Sequence, residues 1–166
     1  MPVLIAFPLF SILVIIQAGI LSRITLLQSS ADVIMLVILS WSLQERVKTS
    51  WHWAIIGGVL SNIATNLPFG LLPLVYSAVT GLGIFLRRRI WKAPLITMFI
   101  GTFFSSIILY AVSYILVVIN GSIIAFDEAI NFVVLPGILL NLLLALPVFF
   151  LVRDLANWLY PEELES

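Results

Sequence analysis

The side chains that could do chemistry in this chain are few, and Asp32 is the first of them. It precedes a uniformly apolar run closely enough to approach membrane depth, where a buried carboxylate would be a functional charge. Ser29 lies ahead of it, and the spacing Ser-x-x-Asp before an apolar run is typical of a capping box. We therefore interpret Ser29 as the acceptor of the first-turn amides, with Asp32 at the positive end of a helix that begins near Ser30.

The other reactive residue types form no catalytic constellation. His52 is the only histidine, and its place between Trp51 and Trp53 indicates an aromatic belt at a membrane interface rather than a proton relay. Asp127 and Glu128 precede an apolar segment, where acids in a first helical turn are ordinary. The chain has no Cys, and one His with scattered acids does not predict a metal site. We expect a protein that is not an enzyme and that holds no metal and no cofactor.

The elements that position these residues are predicted to be membrane helices. Of the 166 residues, 62% are hydrophobic and only 10% are charged, and the mean hydropathy is +1.20. A water-soluble domain of this size could not cover its surface with so few charges. The formal net charge is zero and the chain has one short basic run, which topology explains, so nucleic acid is not an expected partner.

Lys and Arg fall in alternate gaps between the apolar segments. Apart from Arg23, the basic residues form three groups, which are Arg46 with Lys48, Arg87 to Arg89 with Lys92, and Arg153. Because positive charge resists translocation, these three gaps are predicted to be cytoplasmic. The gaps at Arg23 and at Asp127 then lie outside.

The apolar segments predict six membrane spans in one domain, residues 1–153. A helix needs about 20 apolar residues to cross a bilayer core of about 30 Å. The predicted spans are 3–21, 30–44, 53–66, 71–86, 95–119 and 130–152, followed by a short polar cytoplasmic tail, 154–166. The expected fold is an all-α, compact bundle with both termini in the cytoplasm. The first span has no basic leader or cleavage site, so we interpret it as retained.

The charge-free stretch from Trp53 to Leu86 distinguishes six spans from five. The run Asn66-Leu67-Pro68-Phe69-Gly70 divides it, because Pro lacks an amide donor and Gly tolerates turn dihedrals. A single tilted helix would place the Arg87 group opposite Arg46 and break the charge bias, so we reject five spans. Both halves are short for the bilayer, and we expect the turn to lie below the outer surface, shielded by protein.

Small and polar side chains recur at four-residue spacing inside the predicted spans. The pairs are Gly58 with Asn62, Ser77 with Gly81, and Gly101 with Ser105. This spacing lets helix backbones approach closely, and we interpret it as packing within the bundle, with a partner interface as the alternative. The amides of Asn62 and Asn66 are expected to need hydrogen-bond partners.

A basic cluster follows the fourth predicted span. Arg87, Arg88, Arg89 and Lys92, with Trp91 among them, are predicted to anchor the cytoplasmic end of the bundle. Anionic lipid headgroups or an acidic cytoplasmic partner could use the same charges.

Several short motifs occur in a recognisable order between residues 25 and 90. They are Ala31-Asp32, Glu45-Arg46-Val47-Lys48, Gly58-Val59-Leu60-Ser61-Asn62, Pro68-Phe69-Gly70, Tyr76 and Arg87-Arg88-Arg89. In order and spacing they resemble the bacterial rod-shape-determining MreD family. In that family a Pro-Asp precedes a leucine-rich span, and Gly-x-x-x-Asp leads to Pro-x-Gly. Here Asn62 replaces the usual Asp and Ala31 the usual Pro, and an amide keeps the hydrogen bond of a carboxylate but not its charge.

The resemblance implies a non-catalytic scaffold subunit of the cell-elongation machinery in the bacterial cytoplasmic membrane. Such a subunit would bind the bitopic protein MreC and help to couple MreB filaments to a RodA-type glycosyltransferase with its class B penicillin-binding protein. The candidate packing or partner-contact residues are then Asp32, Gly58, Asn62, Pro68, Gly70 and Tyr76.

Two other function classes remain open. A substrate-binding S component of an energy-coupling-factor vitamin transporter also has six short spans with both ends inside. Ala18-x-x-x-Ser22 is a poor match to the docking face of such proteins, although Asn62, Asn66 and Trp41 could line a pocket. A membrane enzyme would require a concealed acid site around Asp32.

Overall fold

The computed structural model describes residues 2–20, 23, 25–27, 29–65, 67–90, 92–121 and 123–161. Within them the regular secondary structure is helical apart from one pair of two-residue antiparallel strands. The elements are α1 (Pro2–Gly19), β1 (Thr25–Leu26), β2 (Ser29–Ser30), α2 (Val33–Leu43), α3 (Ser50–Ile63), α4 (Leu71–Arg89), α5 (Pro94–Ile119), α6 (Phe126–Ala129), a π-helical segment (Ile130–Val134) and α7 (Leu135–Leu159). The predictions for Asn66, Trp91, and residues 21 and 162–166 lie outside the described residues.

Within the part of the chain that the structure describes, three helices are long and apolar enough to cross a membrane, namely Leu71–Arg89, Pro94–Ile119 and the continuous helix Phe126–Leu159. Shorter apolar helices cover Val3–Gly19 and Val33–Leu43. In the most apolar stretch of α5, only 17% of the residues are buried inside the protein. Most of the apolar surface of this helix therefore faces outward. An all-helical fold with apolar helices exposed in this way is consistent with a helical membrane protein.

The shortest of the six main helices described, α2, lies at the centre of the bundle. Ten of its 11 residues are buried, from Ile34 to Leu43. It packs against α1, α3, α4, α5 and α7, so protein surrounds it on all sides. At about 1.5 Å per residue it is about 16 Å long, roughly half of a bilayer core. Such a short apolar helix is stable there because its neighbours, rather than lipid, cover its ends.

Glycines lie at several close approaches between helices of the bundle. A Cβ on Gly58 would lie 2.5 Å from the Pro73 Cα, so α3 and α4 touch through their backbones at this level. Gly83 on α4 lies directly against the side chain of Ser42 on α2. Gly101 on α5 packs against Leu39 in the same way. Gly58 and Gly101 thus lie at helix–helix contacts inside the bundle.

The three basic gaps of the sequence meet at one end of the bundle. A guanidinium nitrogen of Arg87 donates to the carbonyl oxygen of Gln44, which joins the end of α4 to the α2–α3 connection. Thr49 Oγ1 and the hydroxyl of Tyr160 lie 3.2 Å apart and join that connection to the end of α7. We call this the basic end. The opposite end carries the strand pair, the α3–α4 turn and the α5–α6 connection.

Three features differ from the sequence-based expectations. The α3–α4 turn is not shielded by protein, because Phe69 is 81% exposed. Trp53 does not belong to an interfacial belt, since it is fully buried and its ring stacks on Trp41 with centroids 3.7 Å apart, whereas Trp51 is exposed. The helix of α7 continues to Leu159 and so includes the first residues of the predicted tail. The apolar spacing Val152, Ala156 and Leu159 explains this continuation, since it keeps one face of the helix on the core.

Candidate functional site

Asp32 is the N-cap of α2 and is only 9% exposed. Its Oδ1 accepts a hydrogen bond of 3.0 Å from the Met35 amide, so it satisfies one of the donors that a helix start leaves open. The predicted role of Ser29 as the cap is wrong. Ser29 belongs to β2, and its hydroxyl lies 3.1 Å from the hydroxyl of Tyr110 on α5. Because residues 29 and 30 form the extended strand β2, the helix α2 begins only at Val33. Asp32 therefore occupies the capping position.

Two further side chains donate to the Asp32 carboxylate. The hydroxyl of Tyr76 on α4 donates to Oδ2 at 2.9 Å, and Nε2 of Gln17 on α1 donates to Oδ1 at 3.3 Å. Gln17 also uses its Oε1 to accept from the Ile34 amide at 3.3 Å. The donors that surround the carboxylate are thus neutral, and they come from α1, α2 and α4. A buried carboxylate is stable in such a setting only while these donors stay in place.

Asn141 connects this group to the other side of the bundle. The Asp32 backbone amide donates to Asn141 Oδ1 at 2.9 Å, and Asn141 Nδ2 donates to the Ser106 hydroxyl at 2.9 Å. The side chains of Asn141 and Ser106 are fully buried. We call the set Gln17, Asp32, Tyr76, Ser106 and Asn141 the Asp32 network. It links α1, α2, α4, α5 and α7 through polar side chains, which need hydrogen-bond partners because they are buried in the interior of the bundle.

A second polar cluster forms the start of α4. Asn62 Oδ1 accepts from the amides of Gly70 at 3.1 Å and Leu72 at 3.3 Å, and its Nδ2 donates to the Leu67 carbonyl oxygen at 3.1 Å. Gly70 has a φ of 93°, a left-handed conformation that favours glycine. The expectation that Asn62 needs partners is confirmed, since it closes the α3–α4 turn. The turn fixes where α4 begins, and Tyr76 follows one helical turn after Leu72.

The structure brings together most, but not all, of the predicted contact residues. Asp32 and Tyr76 are directly hydrogen-bonded, and Asn62 and Gly70 form the turn that leads to Tyr76. Gly58 lies where α3 meets Pro73 in the first turn of α4. Pro68 differs, because it is exposed and its carbonyl oxygen accepts from the Leu71 amide at 3.2 Å.

The predicted anchor residues lie at the basic end and take no part in the Asp32 network. Arg88, Arg89 and Lys92 are exposed. Arg89 lies over the Phe85 ring at 5.7 Å from the ring centroid. Arg87 is half-buried against the α2–α3 connection. Of the motif residues between positions 25 and 90, the arginines thus lie at the basic end, away from the buried polar residues of the Asp32 network.

Sequence reasoning missed Gln17 and the roles of Asn141 and Ser106. For Gln17 and Asn141, the signal that could have found them is an amide side chain within an otherwise apolar helix, because such a group must find a partner at membrane depth. Asn141 is separated from Asp32 by 109 positions, so no local pattern pairs them. Only the packing of α2 against α7 brings the two residues into contact.

The Asp32 network is suited to orienting helices, because its hydrogen bonds join side chains from five of them. The carboxylate accepts from three donors, which are the Met35 amide, the Tyr76 hydroxyl and the Gln17 side-chain amide. Among the described residues, no group of three or more His, Cys, Asp or Glu side chains could hold a metal ion. What the geometry provides is a set of hydrogen bonds that fixes five helices relative to one another.

A cavity of about 440 Å³ opens beside the network at the same end of the bundle. Tyr110 contacts Ser29 on one side and lines this cavity on the other. The remaining walls include Tyr114, Glu128, Phe132 and the π-helical segment. Asn62 and Trp41, which the sequence offered as pocket residues, do not line it.

Comparisons with known protein families, with curated proteins and with solved structures find no match to this chain. Its function must therefore be inferred from its own residues and their geometry.

Proposed function

We propose that this chain is a non-catalytic scaffold subunit of the MreD type in the bacterial cytoplasmic membrane. The observation that carries the proposal is the 2.9 Å hydrogen bond between Tyr76 and Asp32, two motif residues that are 44 positions apart in the sequence. Gly58, Asn62 and Gly70 then act together to position the start of α4, and so Tyr76. Motif residues that converge in this way are explained by one structural task, which is to hold the short helices α2, α3 and α4 in a fixed arrangement.

The proposed topology has six spans with both termini in the cytoplasm. The support is the convergence of Arg46, Arg87 and Arg153 at the basic end, with the short connections there rich in Lys and Arg. Positive charge in short loops favours the cytoplasmic side. The Asp32 network then lies toward the outer leaflet.

The proposed partner is an MreC-like bitopic protein, through which the chain would help to couple MreB filaments to a RodA-type glycosyltransferase with its class B penicillin-binding protein. Large apolar side chains at the α3–α4 turn remain available for such a contact, since Ile63 is 70%, Phe69 81% and Leu74 73% exposed. Tyr76 itself is 1% exposed and cannot touch a partner while the Asp32 network is intact. Its role in the proposal is to position α4.

Site-specific photocrosslinking in living cells tests the partner. A photoreactive residue at Phe69 is expected to crosslink to the MreC-like protein, because that side chain lies at the surface of the turn. The matched control is the same residue at Leu143 on α7, which is also largely exposed and apolar. Co-purification from native membranes in mild detergent is the second measurement. Loss of the association under all solubilising conditions, with no crosslink from Phe69, would overturn the scaffold proposal.

The alternative is an S component of an energy-coupling-factor vitamin transporter, and one observation favours it. The cavity of about 440 Å³ lined by Tyr110, Tyr114 and Glu128 has a volume within the range of small-molecule sites. Mass spectrometry of the purified protein separates the two proposals, since a bound vitamin is expected only for the transporter subunit.

A further inference from the structure

The basic end of the bundle contains a cavity of about 420 Å³ that the scaffold proposal does not use. Its walls come from the α2–α3 connection, the end of α4, the start of α5 and the last turns of α7. Arginines from three of these segments line it, namely Arg46, Arg87 and Arg153. Basic side chains that are far apart in the sequence therefore lie close together around this cavity.

The charge balance of the cavity is positive. Among the described residues that line it, Glu45 is the only acid, against three arginines. Asp154 approaches from outside the lining, with its Oδ1 3.6 Å from Arg153 Nε, and that pair is largely exposed. Guanidinium groups are suited to phosphate because their planar donors can bind two oxygens at once. The lining thus matches an anion better than a cation or a neutral polar group.

The N-terminus of α5 adds a second attraction for an anion. Pro94 and Leu95, the first residues of α5, line the cavity. The N-cap residue is Ala93, and no side chain caps this helix start. The positive end of the dipole of a 26-residue helix is therefore directed at the same space as the arginines.

Apolar side chains form much of the remaining wall of the cavity, beside the polar side chains of Gln44, Thr97 and Asn157. Leu43, Leu95, Phe149 and Phe150 line it, and Phe150 also lies under the Arg153 guanidinium at 4.8 Å from its ring centroid. A small hydrophilic anion would leave these surfaces in contact with water. A phosphate that carries hydrocarbon would cover them.

We propose that this cavity is a binding site for one anionic phospholipid of the leaflet at the basic end. The phosphate lies among Arg46, Arg87, Arg153 and the start of α5, and an acyl chain covers the apolar walls between α5 and α7. The proposal requires that the protein lies in a membrane, but it is independent of any scaffold role.

Lipid titration of the purified full-length protein in a neutral detergent tests the site. Binding of dioleoylphosphatidylglycerol is counted by native mass spectrometry, with dioleoylphosphatidylcholine as the zwitterionic reference. The expected result is one saturable site that prefers phosphatidylglycerol. Arg46→Gln and Arg153→Gln are each expected to weaken binding about fivefold, as for one basic residue near an anionic surface. Glu45→Gln is expected to strengthen binding, a result that an unfolded variant could not give.

The matched control is Arg89→Gln, which removes one positive charge from the same end but lies outside the cavity. It is expected to change the affinity less than twofold. Equal weakening by Arg89→Gln and Arg46→Gln would reduce the effect to general surface attraction and overturn the site. Displacement of the lipid by inorganic phosphate at similar concentration would assign the cavity to a soluble anion instead of a lipid, and the lipid proposal would fail.

Discussion

At the scale of single residues, the Asp32 carboxylate is the group whose environment the fold constrains most. It is buried, it caps α2, and it accepts hydrogen bonds from side chains of two other helices. If one of these donors is removed, the carboxylate oxygen that it bonded loses its partner, and water cannot easily replace it. The stability of the bundle should therefore respond to Tyr76 more than to other tyrosines.

Tyr76→Phe tests this expectation. The change removes the hydroxyl that donates to Asp32 Oδ2 and keeps the buried ring. We expect a loss of about 1–3 kcal/mol in the free energy of unfolding, measured by denaturant or thermal unfolding in detergent. Tyr114→Phe is the control, because its hydroxyl donates to the Ile124 carbonyl in an exposed hydrogen bond. Equal effects of the two substitutions would contradict the importance of the Asp32 network.

The amide of Asn62 is predicted to be better suited to its site than the carboxylate found in the MreD family. Asn62→Asp keeps the acceptor for Gly70 and Leu72 but replaces the donor to the Leu67 carbonyl with a second oxygen. We expect a loss of about 1 kcal/mol in unfolding free energy. Asn131→Asp is the control, since Asn131 also donates to a backbone carbonyl but is exposed. A stabilised Asn62→Asp protein would show that a cation outside the described contacts favours the acid.

At the scale of elements, the approach of α3 to α4 depends on the absence of a side chain at Gly58. Gly58→Ala would place a methyl group 2.5 Å from the Pro73 Cα, and backbone atoms cannot rotate away as a side chain could. We expect a separation of the two helices that costs about 1–3 kcal/mol, measured as a lower midpoint of thermal unfolding. Gly81→Ala serves as the comparison, because its nearest contact would be an ordinary 3.6 Å to the Trp51 ring. If the two variants have the same midpoint of thermal unfolding, the close contact at Gly58 does not determine how near α3 and α4 approach each other.

The elements that follow from local pattern were predicted well, and those that depend on distant packing were not. The bounds of α5 agree with the expected span to within one residue, since its apolar run is long and Pro94 marks its start. The beginning of α2 was placed too early, because the capping pattern at Ser29 does not reveal that β2 pairs with β1. Gln17 and Asn141 were missed as partners of Asp32 for the same reason, since each lies on another helix.

At the scale of the whole molecule, orientation in the membrane is the property that charge distribution should determine. The chain has no Cys, so single cysteines report accessibility without background. Asp127→Cys at the outer end and Asn157→Cys at the basic end leave every Lys and Arg unchanged, and both positions are exposed. We expect a membrane-impermeant thiol reagent to label position 127 in intact cells and position 157 only after permeabilisation. The opposite labelling would invert the proposed topology.

The enclosed position of α2 also has a consequence for biosynthesis. Its 11 residues, nine of them apolar, are too few to insert as an independent membrane span. The donor from Tyr76 is synthesised 44 residues after Asp32, so the carboxylate lacks this partner while α2 leaves the ribosome. We expect α2 to enter the bilayer only together with later helices, and a chain truncated before α4 to leave it exposed to membrane proteases.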